Sequence, residues 1–61
     1  MDYLKLDKDI FYSIINMKLR DYYKDLNDLC LSENIDKNLF INKINKFGFK
    51  YDRDHNRLIE I

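Results

Sequence analysis

The chain predicts a mainly α fold, a three-helix bundle of helix-turn-helix type closed by a C-terminal β-hairpin. Three observations carry that expectation. Apolar residues recur at intervals of three and four through three successive segments, each preceded by an Asp suited to capping. The last thirteen residues drop that period for two short apolar runs around an Asp/Asn-rich cluster. With 61 residues, one glycine and no proline, there is room for one domain, punctuated by Asp and Asn.

Asp7 or Asp9 can N-cap a first helix over about 8–23. Its stripe is Phe11, Ile15, Leu19 and Tyr22, flanked by Ile10, Ile14 and Met17. Asp25 then caps a second helix over about 26–33, and Asp28 in its first turn favours the positive end of the helix dipole. Leu26, Leu29 and Cys30 face inward, and Asn34 takes the left-handed position that ends the helix. Ile35 fills the turn, and Asp36 caps a third helix over about 37–47. Its stripe is Phe40, Ile44 and Phe47, widened by Ile41 and closed by Gly48.

The hairpin is expected over about 49–61. Phe49 and Tyr51 lie on one side of Asp52-Arg53-Asp54-His55-Asn56, and Leu58, Ile59 and Ile61 on the other. A lone hairpin is marginal in water, so this one must pack on the helices or pair with something. Tyr22, Tyr23, Leu39 and Ile41 cannot all reach one core, because neighbouring helical residues diverge by about 100°. Some of that apolar surface is exposed or covered by a partner.

Composition narrows the function classes. No apolar run approaches the roughly 20 residues of a membrane span, and the first residues carry no signal-like apolar region. Cys30 is the single cysteine, which excludes an intrachain disulfide and suits a reducing, cytoplasmic setting. Cys30 and His55 are the only soft ligands and stand far apart, so no metal is expected. Asp52-x-Asp54-x-Asn56 resembles the start of a calcium loop, but Arg57 stands where that loop needs Gly and its closing Glu would fall past Ile61. Asx-turn chemistry accounts for these residues better. His55 has no nucleophile and orienting group in the pattern around it, so neither catalysis, a cofactor nor a small-molecule substrate is expected.

Formal charge is zero but unevenly spread. Residues 1–36 carry five basic and eight acidic side chains, net −3, and residues 37–61 carry six and three, net +3. From Lys37 to Lys50 there are four Lys and no acid. Leu26 to Phe47 fits a helix-turn-helix, with Cys30 at the helix crossing, Asn34 in the turn and Phe40 as anchor. Lys37, Asn38, Asn42 and Asn45 would face outward, with Lys46 and Lys50 placed for phosphates and Arg53 on a wing. Against this, Glu33 and Lys43 occupy positions where the motif usually holds apolar residues, and zero net charge gives little non-specific pull.

Ser13-x-x-Asn16-x-Lys18-Leu19-Arg20-Asp21, then Leu26-x-x-Leu29-Cys30, Gly48-Phe49-x-Tyr51-Asp52 and Asn56 together resemble a small bacterial family, domain-of-unknown-function family 4250. The similarity runs from about Asp9 to Leu58 and implies one intact domain with no established activity. It singles out Ser13, Asn16, Arg20 and Asp21 as a polar feature on the first helix. That feature is either a recognition surface or an internal network. In the network reading, favoured here, Arg20 pairs with a carboxylate such as Asp52, and Asn16 bonds a loop backbone, tying hairpin to helix. The family tends to be acidic on the third helix, where this chain has Lys37, Lys43 and Lys46, and that weighs against DNA binding as a shared role.

The leading expectation is therefore a non-catalytic protein-interaction module, binding a protein partner or itself as a homodimer. The alternative is a winged helix-turn-helix DNA-binding protein using Lys37, Asn38, Asn42, Lys46, Lys50 and Arg53.

Overall fold

In the computed structural model, residues 3–61 are described, and they form three helices followed by a two-stranded antiparallel hairpin. A short 3-10 turn, Tyr3–Lys5, precedes α1 (Lys8–Asp21), α2 (Leu26–Ser32), α3 (Lys37–Lys46), β1 (Phe49–Asp52) and β2 (Arg57–Glu60). Among the described residues no helix is long and apolar enough to cross a membrane.

The helix starts follow from the acids that precede them. Asp25 accepts the Asp28 N–H at 2.7 Å, and Asp36 accepts from Asn38 and Leu39 at 2.9 and 3.3 Å. Each bond satisfies a donor that the first helical turn leaves open. Asp7 holds the N-cap position of α1 in extended conformation, but its carboxylate makes no capping bond. The ends are equally local. Asn34 is left-handed (φ 57°), with its own N–H on Leu31 and the Ile35 N–H on the Cys30 carbonyl at 2.8 Å, the pair of bonds of a Schellman closure. Gly48 (φ 82°) is the left-handed residue that ends α3, its N–H on the Asn45 carbonyl at 3.0 Å.

One core joins all the elements. Phe11, Ile15 and Leu19 from α1 meet Leu26, Leu29 and Cys30 from α2, Phe40 and Ile44 from α3, and Phe49 and Leu58 from the hairpin. Phe11 is its hub, with ring centroids 5.4 Å from Phe40 and 5.3 Å from Phe47. Tyr3 of the 3-10 turn is buried in the same cluster, and Ile35 and Ile41 pack partly against it. No polar or charged side chain is fully buried among the described residues.

One apolar expectation is corrected, and the hairpin ends one residue early. Tyr22 does not extend the core stripe: it is 68 % exposed, because α1 ends at Asp21 and the chain turns away before Tyr22 completes another inward turn. Ile61 lies past the end of β2 and is exposed, although its N–H still reaches the Gly48 carbonyl. The helix also stops before residue 23 for a visible reason. The N–H groups of Tyr22 and Tyr23 both bond the Lys18 carbonyl, and the carbonyls of Leu19 and Tyr23 are taken by a side chain of the hairpin.

Candidate functional site

That side chain is Asn56, the left-handed residue (φ 50°) at the end of the hairpin turn. Its Nδ2 donates to Leu19 O at 2.9 Å and Tyr23 O at 3.0 Å, while its Oδ1 accepts from the Tyr51 hydroxyl. One amide thus closes the C-terminal end of α1 from the outside. One turn earlier in α1, Asn16 does the same for the strand. Its Oδ1 accepts the Leu58 N–H at 2.6 Å and its Nδ2 donates to the Leu58 carbonyl at 3.2 Å. In the register Tyr51 opposite Leu58, those Leu58 groups point away from β1, so Asn16 pairs an edge that would otherwise be open.

The expected network is half right. Asn16 ties helix to hairpin as the network reading requires, through strand backbone. Arg20 does not pair with Asp52. It forks onto its neighbour Asp21, Nε to Oδ1 at 2.9 Å and Nη2 to Oδ2 at 3.0 Å, on an exposed surface. The guanidinium holds the Asp21 carboxyl below its ordinary value. Asp52 instead lies 2.7 Å from Nδ1 of His55, which depresses its pKa, and its Oδ1 accepts the Asp54 N–H as an Asx turn. Three and two residues separate these partners, so local turn geometry takes Asp52 before Arg20 can compete for it.

Between α1 and the turn lies an open groove of about 580 Å³. Ser13, Met17 and Arg20 line it from the helix, and His55 and Arg57 from the hairpin, with Asn16 and Asn56 at its base. Three of the four polar residues singled out on α1 are therefore gathered here, and Asp21 stands beside them through Arg20. Ser13 and His55, 42 positions apart, share this groove, and Asp52 orients the His55 ring. No hydrogen bond joins Ser13 to His55, and both are exposed, so the three groups do not form a relay.

A second groove, about 590 Å³, opens between the start of α2, the start of α3 and the hairpin. Lys24, Lys37 and Arg53 line it with Ile41, Tyr51 and Asp25. Of the six residues proposed for DNA, Lys37 and Arg53 are thus brought together, with Lys24 added by the fold. Asn38, Asn42 and Lys46 are exposed along the outer face of α3, and Lys50 is exposed on β1. Lys24, Lys37, Lys46, Lys50, Arg53 and Arg57 make no ion pair among the described residues. Asp25 and Asp36 meanwhile face backbone N–H groups as caps. The zero net charge therefore coexists with a set of cations that make no ion pair among the described residues.

A third cluster was not anticipated. Glu33, at a position where a helix-turn-helix usually holds an apolar residue, accepts from the Tyr23 hydroxyl at 2.6 Å and from Lys18 Nζ at 3.2 Å. The Tyr23 bond, and then Lys18, hold the Glu33 carboxyl below its ordinary value, and Tyr3 with Glu33 raises Lys18. Lys43, the other misplaced polar residue, lies 4.7 Å from the Phe47 ring centroid and covers it. The sequence signal for both was weak: a charged residue at the margin of an apolar stripe.

No curated protein and no solved structure matches this chain. A family model described as a domain of unknown function (DUF4250) matches residues 5–58, nearly the whole length, and takes in every residue of the two amide ties and both grooves; the chain belongs to that family.

Proposed function

We propose that this domain is a non-catalytic protein-interaction module whose contact surface is the outer side of α1 and the adjoining hairpin turn. The observation that carries this is a second apolar stripe on α1. Ile10, Ile14 and Met17 stand at i, i+4 and i+7, beside the Phe11, Ile15, Leu19 stripe that fills the core. Ile10 is 48 % exposed, Ile14 and Met17 are half-buried, and Met17 runs into the groove with Arg20 and Arg57. An apolar centre with Arg and Met at its margin has the composition of an interaction patch. A second copy of the chain is one partner this surface suits. A standard interface takes about 800 Å² from each partner, under a fifth of the 4345 Å² exposed here.

Sedimentation from micromolar to millimolar concentration, together with retention of partners on immobilised protein, tests the reading. We expect association that Ile10→Glu weakens about tenfold without loss of fold. A protein that stays monomeric throughout and retains no partner, or one whose association ignores Ile10→Glu, would sink it.

A second reading rests on its own observation, the meeting of Lys24, Lys37 and Arg53 in one groove at the start of α3. In it, α3 presents Asn38, Asn42 and Lys46 to the major groove, with Lys50 and Arg53 on the wing. Its signature is binding to mixed duplex DNA that falls steeply as salt rises. No binding at low salt and tens of micromolar protein eliminates it.

A further inference from the structure

We propose that the groove between α1 and the hairpin turn receives acidic side chains of a partner protein, with Arg57, Arg20 and the Ser13 hydroxyl as the receiving donors. This rests on the interaction reading above and gives the partner's chemistry.

The hydrogen-bond inventory of the groove leads there. Its two amides are already occupied: Asn16 is bonded to both backbone groups of Leu58, and Asn56 to two carbonyls and a phenol. What remains is almost all donor. Arg57 has no ion pair and makes no side-chain hydrogen bond among the described residues, although it stands opposite Asp52 in the strand register. Arg20 gives Nε and Nη2 to Asp21 and keeps Nη1. Among the described residues the Ser13 hydroxyl makes no hydrogen bond, and of the His55 ring only Nδ1 is engaged. No carboxylate lines the groove. A planar guanidinium with open N–H groups matches a carboxylate in a two-pronged geometry.

The surroundings favour a peptide over a phosphate backbone. Met17 lies in the groove and continues the Ile10, Ile14 stripe, so apolar surface adjoins the cations. No residue of α3 lines it, so a duplex seated on α3 would not be read here. The fitting occupant is a protein segment that mixes acidic and apolar side chains.

Nuclear magnetic resonance titration of the ¹⁵N-labelled chain with a synthetic Glu/Leu octapeptide tests this, with a Gln/Leu octapeptide and a duplex DNA as parallel arms. Expected are shifts centred on Ser13, Met17, Arg20 and Arg57, at least about tenfold weaker binding in Arg57→Glu, and less than about twofold change in Lys37→Glu. Arg57→Gln, with about a threefold loss, keeps the test open if the reversed charge disturbs the hairpin. Equal affinity for the Gln/Leu peptide, shifts centred on Lys24, Lys37 and Arg53, groove shifts with DNA, or no shift at millimolar peptide would each overturn it. Those results leave the interaction reading standing, since it falls only with the sedimentation and Ile10→Glu results.

Discussion

Asn16 and Leu58, 42 residues apart, exchange two hydrogen bonds, so that one helix side chain completes the edge of a strand. The Leu58 side chain is fully buried, and its backbone groups sit where water has little access. The bond pair therefore joins the local order of α1 to the stability of the hairpin, which could not persist alone.

Replacing Asn16 by Ala would leave the Leu58 N–H and carbonyl without partners. At about 1–3 kcal/mol for each unsatisfied buried group, we expect a loss of about 2–4 kcal/mol in urea unfolding. Asn16→Asp retains the acceptor and should lose less. A change below about 0.5 kcal/mol in Asn16→Ala would show that the two bonds to Leu58 contribute little to stability.

Asn56 combines a conformational role with a bonding role, and two substitutions separate them. Asn56→Gly keeps the left-handed backbone but loses the bonds to Leu19, Tyr23 and Tyr51, and should cost about 2–3 kcal/mol. Asn56→Ala adds the left-handed penalty of about 1 kcal/mol. Tyr51→Phe removes the phenol and with it the bond to Asn56, and should couple to Asn56→Gly by about 1 kcal/mol in a double-mutant cycle. Additive losses would mean that the phenol–amide contact contributes nothing.

Gly48 isolates backbone strain from packing. A Cβ built there meets nothing within 4 Å, so Gly48→Ala carries only the cost of φ 82°, about 1 kcal/mol. In a domain of this size, that lowers Tm by about 4–8 °C. Asn34→Gly, at φ 57°, should be neutral or slightly stabilising by the same logic. Equal destabilisation by both changes would contradict this account of the two helix ends.

The Glu33 cluster makes stability pH-dependent with a definite sign. The folded carboxyl titrates below the ordinary 4.5, so its contribution is complete above that value and is lost as pH falls through the folded pKa. Lys18 is raised above 10.5, so its contribution is complete below that value and is lost as pH rises through the folded pKa. Unfolding of Glu33→Gln, followed by circular dichroism across pH, should show a shallower acid limb below pH 4.5 than the parent chain. Asp21 and Asp52 shape the same limb, so the informative quantity is the difference between the two proteins. Superimposable acid limbs would remove Glu33 from the account.

The elements could be read from the chain because each depends on residues within about four positions. Asp25 and Asp36 cap because the open N–H groups are two or three residues ahead; Asn34 and Gly48 terminate because few residues tolerate positive φ. The Phe11, Ile15, Leu19 and Phe40, Ile44 stripes follow from helical period alone. Partner choice among polar groups did not. Several carboxylates are within reach of Arg20 in the unfolded chain, and exposed pairings differ by less than about 1 kcal/mol, so adjacency to Asp21 and the tight turn at Asp52 decided what composition left open. The meeting of Asn16 with Leu58, of Asn56 with the end of α1, of Ser13 with His55 and of Lys37 with Arg53 needed the hairpin to fold back over the helices. Long-range contacts of this kind are set by how the core packs, and no local pattern in the sequence encodes that.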